Sequence, residues 1–173
     1  MRLYFMRHAH ALERNEWSGE EAARPLSDKG RKCAAAAASG LARLRPGVSA
    51  IISSPYARAY ETAVIVGRII GLPVESSDML TPGLDLGRLD RALALRPDVD
   101  SALFVAHEPD LSRLVAALTK RTGTDGVTLK KASCALVATP PDVSGGVSVE
   151  ELAGRCELVW VRGWRELAAM RET

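Results

Sequence analysis

The chain begins with a short apolar run, Leu3 to Met6, that ends abruptly on Arg7, His8, Ala9 and His10. A short, aromatic-containing apolar segment of this kind predicts a buried strand over Arg2 to Met6. A polar stretch without periodicity follows, from Arg7 to about Pro25. At about 18 residues it exceeds the usual connection, and loops of that length are often functional. Ser27 is placed to cap a helix with Asp28 in its first turn. That helix continues through the alanine-rich run Cys33 to Ala38 to about Leu44, where Pro46-Gly47 ends it.

The same alternation then repeats. Ala50 to Ser53 predicts a second strand. Ser54 is positioned to cap a helix opening at Pro55, the favoured place for proline. Its apolar positions Ala59, Ala63, Val66 and Ile70 keep helical spacing, and Gly71 and Pro73 stop it. Val74 to Ser76 reads as a short strand, Thr81-Pro82-Gly83 as a turn, and Leu86 to Leu95 as a helix closed by Pro97. Ala102 to Ala106 predicts a fully buried strand, followed by His107-Glu108-Pro109 and a helix from about Asp110 to Lys120. The remainder differs. Leu129 to Ala138 and Cys156 to Val161 read as strands around a polar turn at Pro140 to Gly146, and Trp164 to Arg171 as a final helix.

Strand and helix alternate first and a hairpin-like pair comes last. This predicts an α/β three-layer sandwich, with a mainly parallel central sheet and an antiparallel edge. At 173 residues, without internal repeat or domain-sized linker, residues 1–173 are expected to form one domain. Hydrophobic residues make up 47% and aromatics only 5%, so the core must be aliphatic. A formal net charge of +2, from 23 basic and 21 acidic residues, gives no nucleic-acid footprint and no membrane-surface stripe. Cys33, Cys134 and Cys156 are odd in number and lack C-x-x-C spacing, so they read as buried thiols of a reduced compartment. Leu3 to Met6 is too short for a signal-peptide core or a membrane span. A cytoplasmic location is the expectation.

In parallel sheets, ligands gather beyond the carboxyl ends of the strands. Three loops begin there, at Arg7, Ser53 and His107. They carry Arg7, His8 and His10, then Ser53, Ser54 and Arg58, then His107 and Glu108. Arg58 shares a helix face with Thr62 at i+4. A divalent metal prefers neutral imidazoles with carboxylates, and two guanidiniums would repel it. A tetrahedral dianion prefers forked donors and helix N-termini. The group therefore reads as a phosphate or sulfate site. Within it a neutral imidazole can attack phosphorus and carry the phosphoryl group, and neighbouring arginines favour that neutral form. Singly, each residue has a plain structural reading as a loop cation, a strand-end histidine or a helix cap.

Arg7-His8 after a strand, P-L-S-x-x-G at Pro25 to Gly30, S-S-P-x-x-R-A-x-x-T-A at Ser53 to Ala63, and V-A-H-E-P at Val105 to Pro109 together resemble the histidine phosphatase superfamily. That superfamily includes the cofactor-dependent phosphoglycerate mutases. The resemblance covers residues 1–120 well and the rest loosely. It implies a phosphoglycerate mutase-like fold and no cofactor or metal. Residue by residue, it implies His8 as the phosphorylated nucleophile and Arg7 and Arg58 as holders of the phosphoryl oxygens. His107 would be a second pocket histidine, donating as charge develops. Many members carry Gly where this chain has Ala9. The short Val74 to Pro97 segment shows no lid motif. With the Leu80 to Gly83 turn and the H-E-P-D-L stretch, it resembles the small phosphohistidine phosphatases (SixA-like).

The implied activity is a metal-independent phosphatase acting on phosphohistidine in a protein, such as a phosphorelay domain. The alternatives are a phosphatase of a small ester (a sugar phosphate or nucleotide) by the same mechanism, and a non-catalytic phosphate-binding module. Mutase activity is the weakest reading. An alkoxide leaving group calls for a well-placed acid, whereas imidazole demands less. Glu108 is the first candidate for such an acid and Asp85 the second. His10 either flanks the pocket or only starts the loop. Trp17 either supports a partner or pins the loop.

Overall fold

The computed structural model describes residues 1–44, 47–96, 99–120, 126–142 and 148–170. Six strands, β1 (Arg2–Arg7), β2 (Ala50–Ser53), β3 (Val74–Ser76), β4 (Ser101–Ala106), β5 (Cys134–Ala138) and β6 (Glu157–Arg162), form one sheet in the order β3-β2-β4-β1-β5-β6. The first four are mutually parallel, β5 runs antiparallel to β1, and β6 antiparallel to β5. Among the described residues, five α-helices accompany the sheet: α1 (Asp28–Arg43), α2 (Ala57–Ile70), α3 (Leu86–Ala94), α4 (Asp110–Thr119) and α5 (Trp164–Ala168).

Strand periodicity divides the core into two layers. Leu3 and Phe5 of β1, Phe104 of β4 and Val137 of β5 point to one face, where Leu89 of α3 and Leu111 and Val115 of α4 cover them. Tyr4 and Met6, Leu103 and Val105 point to the other, against Ala37 and Leu41 of α1, Val66 of α2 and Leu167 of α5. β4 is buried along its whole length, which is why it reads as an unbroken apolar run. Phe5 and Phe104 stack at 5.6 Å between ring centroids. Removing either ring would cost about 3–5 kcal/mol.

Small residues set the helix spacing on the second face. Ala34, Ala37 and Ala38 are fully buried on α1. A Cβ at Gly40 would lie 1.9 Å from the Leu167 carbonyl oxygen, so glycine lets α5 settle directly on α1. The Ser27 cap is present as expected, its hydroxyl accepting from the Gly30 amide.

Several boundaries differ from expectation. α2 opens at Ala57 rather than Pro55, and Tyr56, not Ser54, holds the N-cap position. The strand expected from Leu129 begins only at Cys134, because Ala132 sits at φ 58° and turns the chain. The last strand is shifted by one residue to Glu157–Arg162, and the last helix stops at Ala168. The stops expected at Pro46 and Pro97, residues 143–146 of the polar turn, and Arg171 lie outside the described residues. Cys33, Cys134 and Cys156 are buried free thiols. Among the described residues no helix is long and apolar enough to cross a membrane.

Candidate active site

Three neighbouring parallel strands deliver the site. β4 lies between β2 and β1, with Arg7 level with Ala106 and Ser53 level with Val105. Their carboxyl ends therefore release Arg7-His8, Ser54 and His107 at one edge of the sheet. The rings of His8 and His107 lie 5.2 Å apart between centroids.

His8 is buried, and its Nδ1 lies 2.7 Å from the Ala9 carbonyl oxygen. A carbonyl only accepts, so Nδ1 donates and the lone pair is left on Nε2. Burial, above all, pushes the His8 pKa down to about 3. The Ala9 bond opposes that shift, and His107, Arg58 and Arg7 add to it. The imidazole is thereby kept neutral, a form that can act as a nucleophile. The backbone after it is pinned from α2: the Ala9 amide donates to Thr62 Oγ1 (3.1 Å), and that hydroxyl donates to the Arg58 carbonyl (2.7 Å). The Ala9 methyl enters a small apolar cluster with Leu26, Cys33, Ala34 and Ala132, so the departure from glycine is accommodated. The Ala132 amide bridges the Arg7 and His8 carbonyls from the opposite side.

The P-L-S-x-x-G motif supports the same loop. The Ser27 amide donates to the His10 carbonyl at 3.0 Å, and the Ser27 hydroxyl to the same oxygen at 3.2 Å. A Cβ on Gly30 would lie 1.9 Å from that oxygen. Ala11 and Leu26 add an antiparallel bridge.

Both cations are held by the backbone. Arg58 is 6% exposed; its Nη1 donates to the Glu21 carbonyl (2.9 Å) and lies 3.3 Å from the Glu21 carboxylate. Its guanidinium sits over the Tyr56 ring at 5.1 Å. Arg7 Nη1 donates to the Leu129 carbonyl at 2.9 Å, while its buried Nε has no partner among the described residues. Burial lowers the pKa of both arginines, opposed by Glu108 at Arg7 and by Glu21 at Arg58. His107 places Nε2 2.9 Å from Ser54 Oγ. Burial, then Arg58 and Arg7, push its pKa down to about 4.

The remaining candidates separate. Glu108 is half-buried, and burial raises its carboxyl pKa, against the Ser112 hydrogen bond (2.8 Å) and the Arg7 charge. Asp85 is instead the exposed N-cap of α3, accepting from the Arg88 amide at 2.8 Å. The His10 ring makes no hydrogen bond to Arg7, His8, Arg58 or His107. Its buried Nδ1 is unpartnered among the described residues, and burial followed by Lys131 and Lys29 lowers its pKa. Trp17 Nε1 donates to the Glu20 carbonyl at 2.9 Å and its ring packs over Gly19, which pins the loop. Sequence reasoning missed Glu21. Its carboxylate pairs with Arg24 (2.7 Å) and Arg58, and the Arg24 bond keeps its pKa low.

Residues 3–92 match the sequence profile of the histidine phosphatase superfamily (branch 1). The chain belongs to this superfamily. An uncharacterized protein of Picosynechococcus is 34% identical over 137 residues, 76% of this chain and 81% of that one. Among solved structures, the protein histidine phosphatase SixA complexed with tungstate superposes with a TM-score of 0.77. It is 26% identical, with coverage of 96% of this chain and 99% of that one. A mycobacterial glucosyl-3-phosphoglycerate phosphatase shares the fold at 23% identity and a TM-score of 0.67, covering 92% and 98%. The sheet and its helical layers are the phosphoglycerate mutase-like fold. This histidine phosphatase superfamily member is a phosphoric hydrolase.

Proposed function

We propose that the protein removes the phosphoryl group from phosphohistidine in a protein substrate, by way of a phosphorylated His8. The observation that carries the mechanism is the His8 Nδ1 bond to Ala9, which leaves Nε2 as a neutral nucleophile near two arginines and a second neutral imidazole. Arg7 and Arg58 hold the phosphoryl oxygens, and His107 donates to them as charge develops. The Nε2 lone pair forms the new N–P bond while the P–N bond to the substrate breaks. With one proton on its ring, the substrate imidazole departs neutral. Water then attacks the phosphorus of phospho-His8, releasing phosphate and restoring the imidazole.

The engagement of Glu21, Asp85 and Glu108 supports a phosphoramidate substrate. Glu21 is held ionised by Arg24, Asp85 caps a helix, and Glu108 is engaged by Ser112. The solved relative at 26% identity is itself a protein histidine phosphatase. Three buried free thiols suit a reducing, cytoplasmic setting. One observation favours the small-ester alternative. The raised pKa of Glu108 is the direction a general acid needs to protonate a leaving alkoxide.

Intact-mass analysis during turnover tests the mechanism. The wild type gains one phosphoryl group and His8→Ala gains none; His8→Ala at wild-type activity would refute it. Comparison of kcat/KM on a phosphohistidine protein and on a sugar phosphate decides the substrate. A protein substrate left untouched while the ester turns over hands the assignment to the ester.

A further inference from the structure

Ser54, expected to cap the helix after Pro55, does not hold the N-cap of α2. It is fully buried, its amide donates to the Val105 carbonyl (3.0 Å) and its hydroxyl oxygen accepts from the Tyr56 amide (3.3 Å). The same hydroxyl lies 2.9 Å from His107 Nε2. The other ring nitrogen, His107 Nδ1, is buried and has no partner among the described residues.

The hydrogen-bonding capacities decide between two tautomers. If Nε2 carried the proton, Ser54 Oγ would accept twice. Its own hydrogen would then have no acceptor in a fully buried site, and the Nδ1 lone pair would also be unsatisfied. If Nδ1 carries the proton, the Ser54 hydroxyl donates to Nε2, and every group is paired except the Nδ1–H. An unmade buried hydrogen bond costs about 1–3 kcal/mol, so the second arrangement is preferred by roughly one such bond. The remaining donor belongs to a ring 5.2 Å from that of His8. It is the group that a phosphoryl oxygen on His8 would satisfy.

We infer that Ser54 is a positioning residue: through its hydroxyl it holds His107 as the Nδ1–H tautomer, so that a neutral imidazole presents a hydrogen-bond donor to the transferring phosphoryl group. This rests on the donor role given to His107 above. It gives the Ser-Ser-Pro motif a task that helix capping does not explain. Like a carboxylate behind a catalytic histidine, the hydroxyl sets which nitrogen is protonated, but it brings no charge into a pocket built for an anion. A carboxylate there would repel the phosphoryl oxygens.

Two measurements test it. In 15N-histidine NMR of the wild type near neutral pH, His107 is expected as the Nδ1–H form; a dominant Nε2–H form overturns the inference without any variant. In Ser54→Ala the tautomer preference is expected to be lost. Its kcat should fall about 10- to 100-fold with KM little changed, less than the ~10²–10³-fold seen when a transition-state donor is removed outright. Ser54→Thr, which keeps the hydroxyl, should restore both. Unchanged kcat in a folded Ser54→Ala, or a loss that Ser54→Thr shares while its tautomer stays native, overturns it. The tautomer readings do not depend on phosphoenzyme trapping, so failure here is distinguishable from failure of the His8 mechanism.

Discussion

The His8 and His107 rings lie 5.2 Å apart, tilted 56° to one another, and burial holds both neutral. Proximity alone would not achieve this. Two imidazoles at that distance in water would still titrate near 6.5, and it is their removal from solvent beside two guanidiniums that suppresses protonation.

The first prediction concerns pH. The unfolded chain protonates these histidines near 6.5, whereas the folded pKa values are about 3 for His8 and about 4 for His107. Between those limits the unfolded state binds more protons. Stability is therefore full above 6.5 and declines as pH falls towards the folded values. At about pH 5 each histidine should have cost roughly 2 kcal/mol relative to neutral pH. Denaturant unfolding at both pH values measures it, and the two imidazole resonances should not move over that range. A midpoint near 6.5 for either ring would contradict the assignment.

Gly30→Ala and Gly40→Ala form a matched pair. Each new Cβ would fall 1.9 Å from a carbonyl oxygen, that of His10 or of Leu167. Both should lose stability, by about 1–3 kcal/mol or more. Only Gly30 abuts the loop after His8, so only Gly30→Ala should lower kcat in the fraction that remains folded. Thermal melts with activity normalised to folded protein separate the two effects.

Thr62→Val keeps the shape and removes the hydroxyl. The buried Ala9 amide then has no acceptor, at a cost of about 1–3 kcal/mol. With the carbonyl that orients His8 less firmly held, kcat should fall along with stability. Stability lost with kcat intact would confine Thr62 to a structural role.

Glu108→Gln distinguishes leaving groups. If Glu108 supplies a proton, hydrolysis of an alkyl phosphate should fall by about 10²–10⁴-fold. A p-nitrophenyl ester or a phosphohistidine, whose leaving groups need little help, should be nearly unaffected. Equal losses on all three would show that the residue serves the Ser112 and Leu129 segment instead.

Much of this was legible because the decisive strands are buried on both faces. β1, β2 and β4 read as apolar runs, and the chemistry begins where each run stops. Arg7, His8, Arg58 and His107 could thus be placed together before any coordinates. What was hidden depends on partners distant in sequence. Ser54 followed by Pro55 has the local signature of a cap, yet its partner lies 53 residues away. Leu129 to Ser133 runs into the apolar stretch after it with no Gly or Pro between, but the Ala132 amide is drawn to the Arg7 and His8 carbonyls, and the backbone turns left-handed to reach them. Glu21 sits in an aperiodic loop, where nothing in the pattern marks an ion pair with Arg58.

The position of β1 bears on how the chain is made. Its residues pair with Ser101–Ala106 on one side and Cys134–Ala138 on the other, so its neighbours leave the ribosome about 100 and about 130 residues after it does. Closing such distant pairs is slow relative to local helix formation. A nascent chain can carry His8 long before it carries the pocket that deprotonates and aims it. Phosphatase chemistry should accordingly switch on late in synthesis, once β4 and β5 close around the first strand.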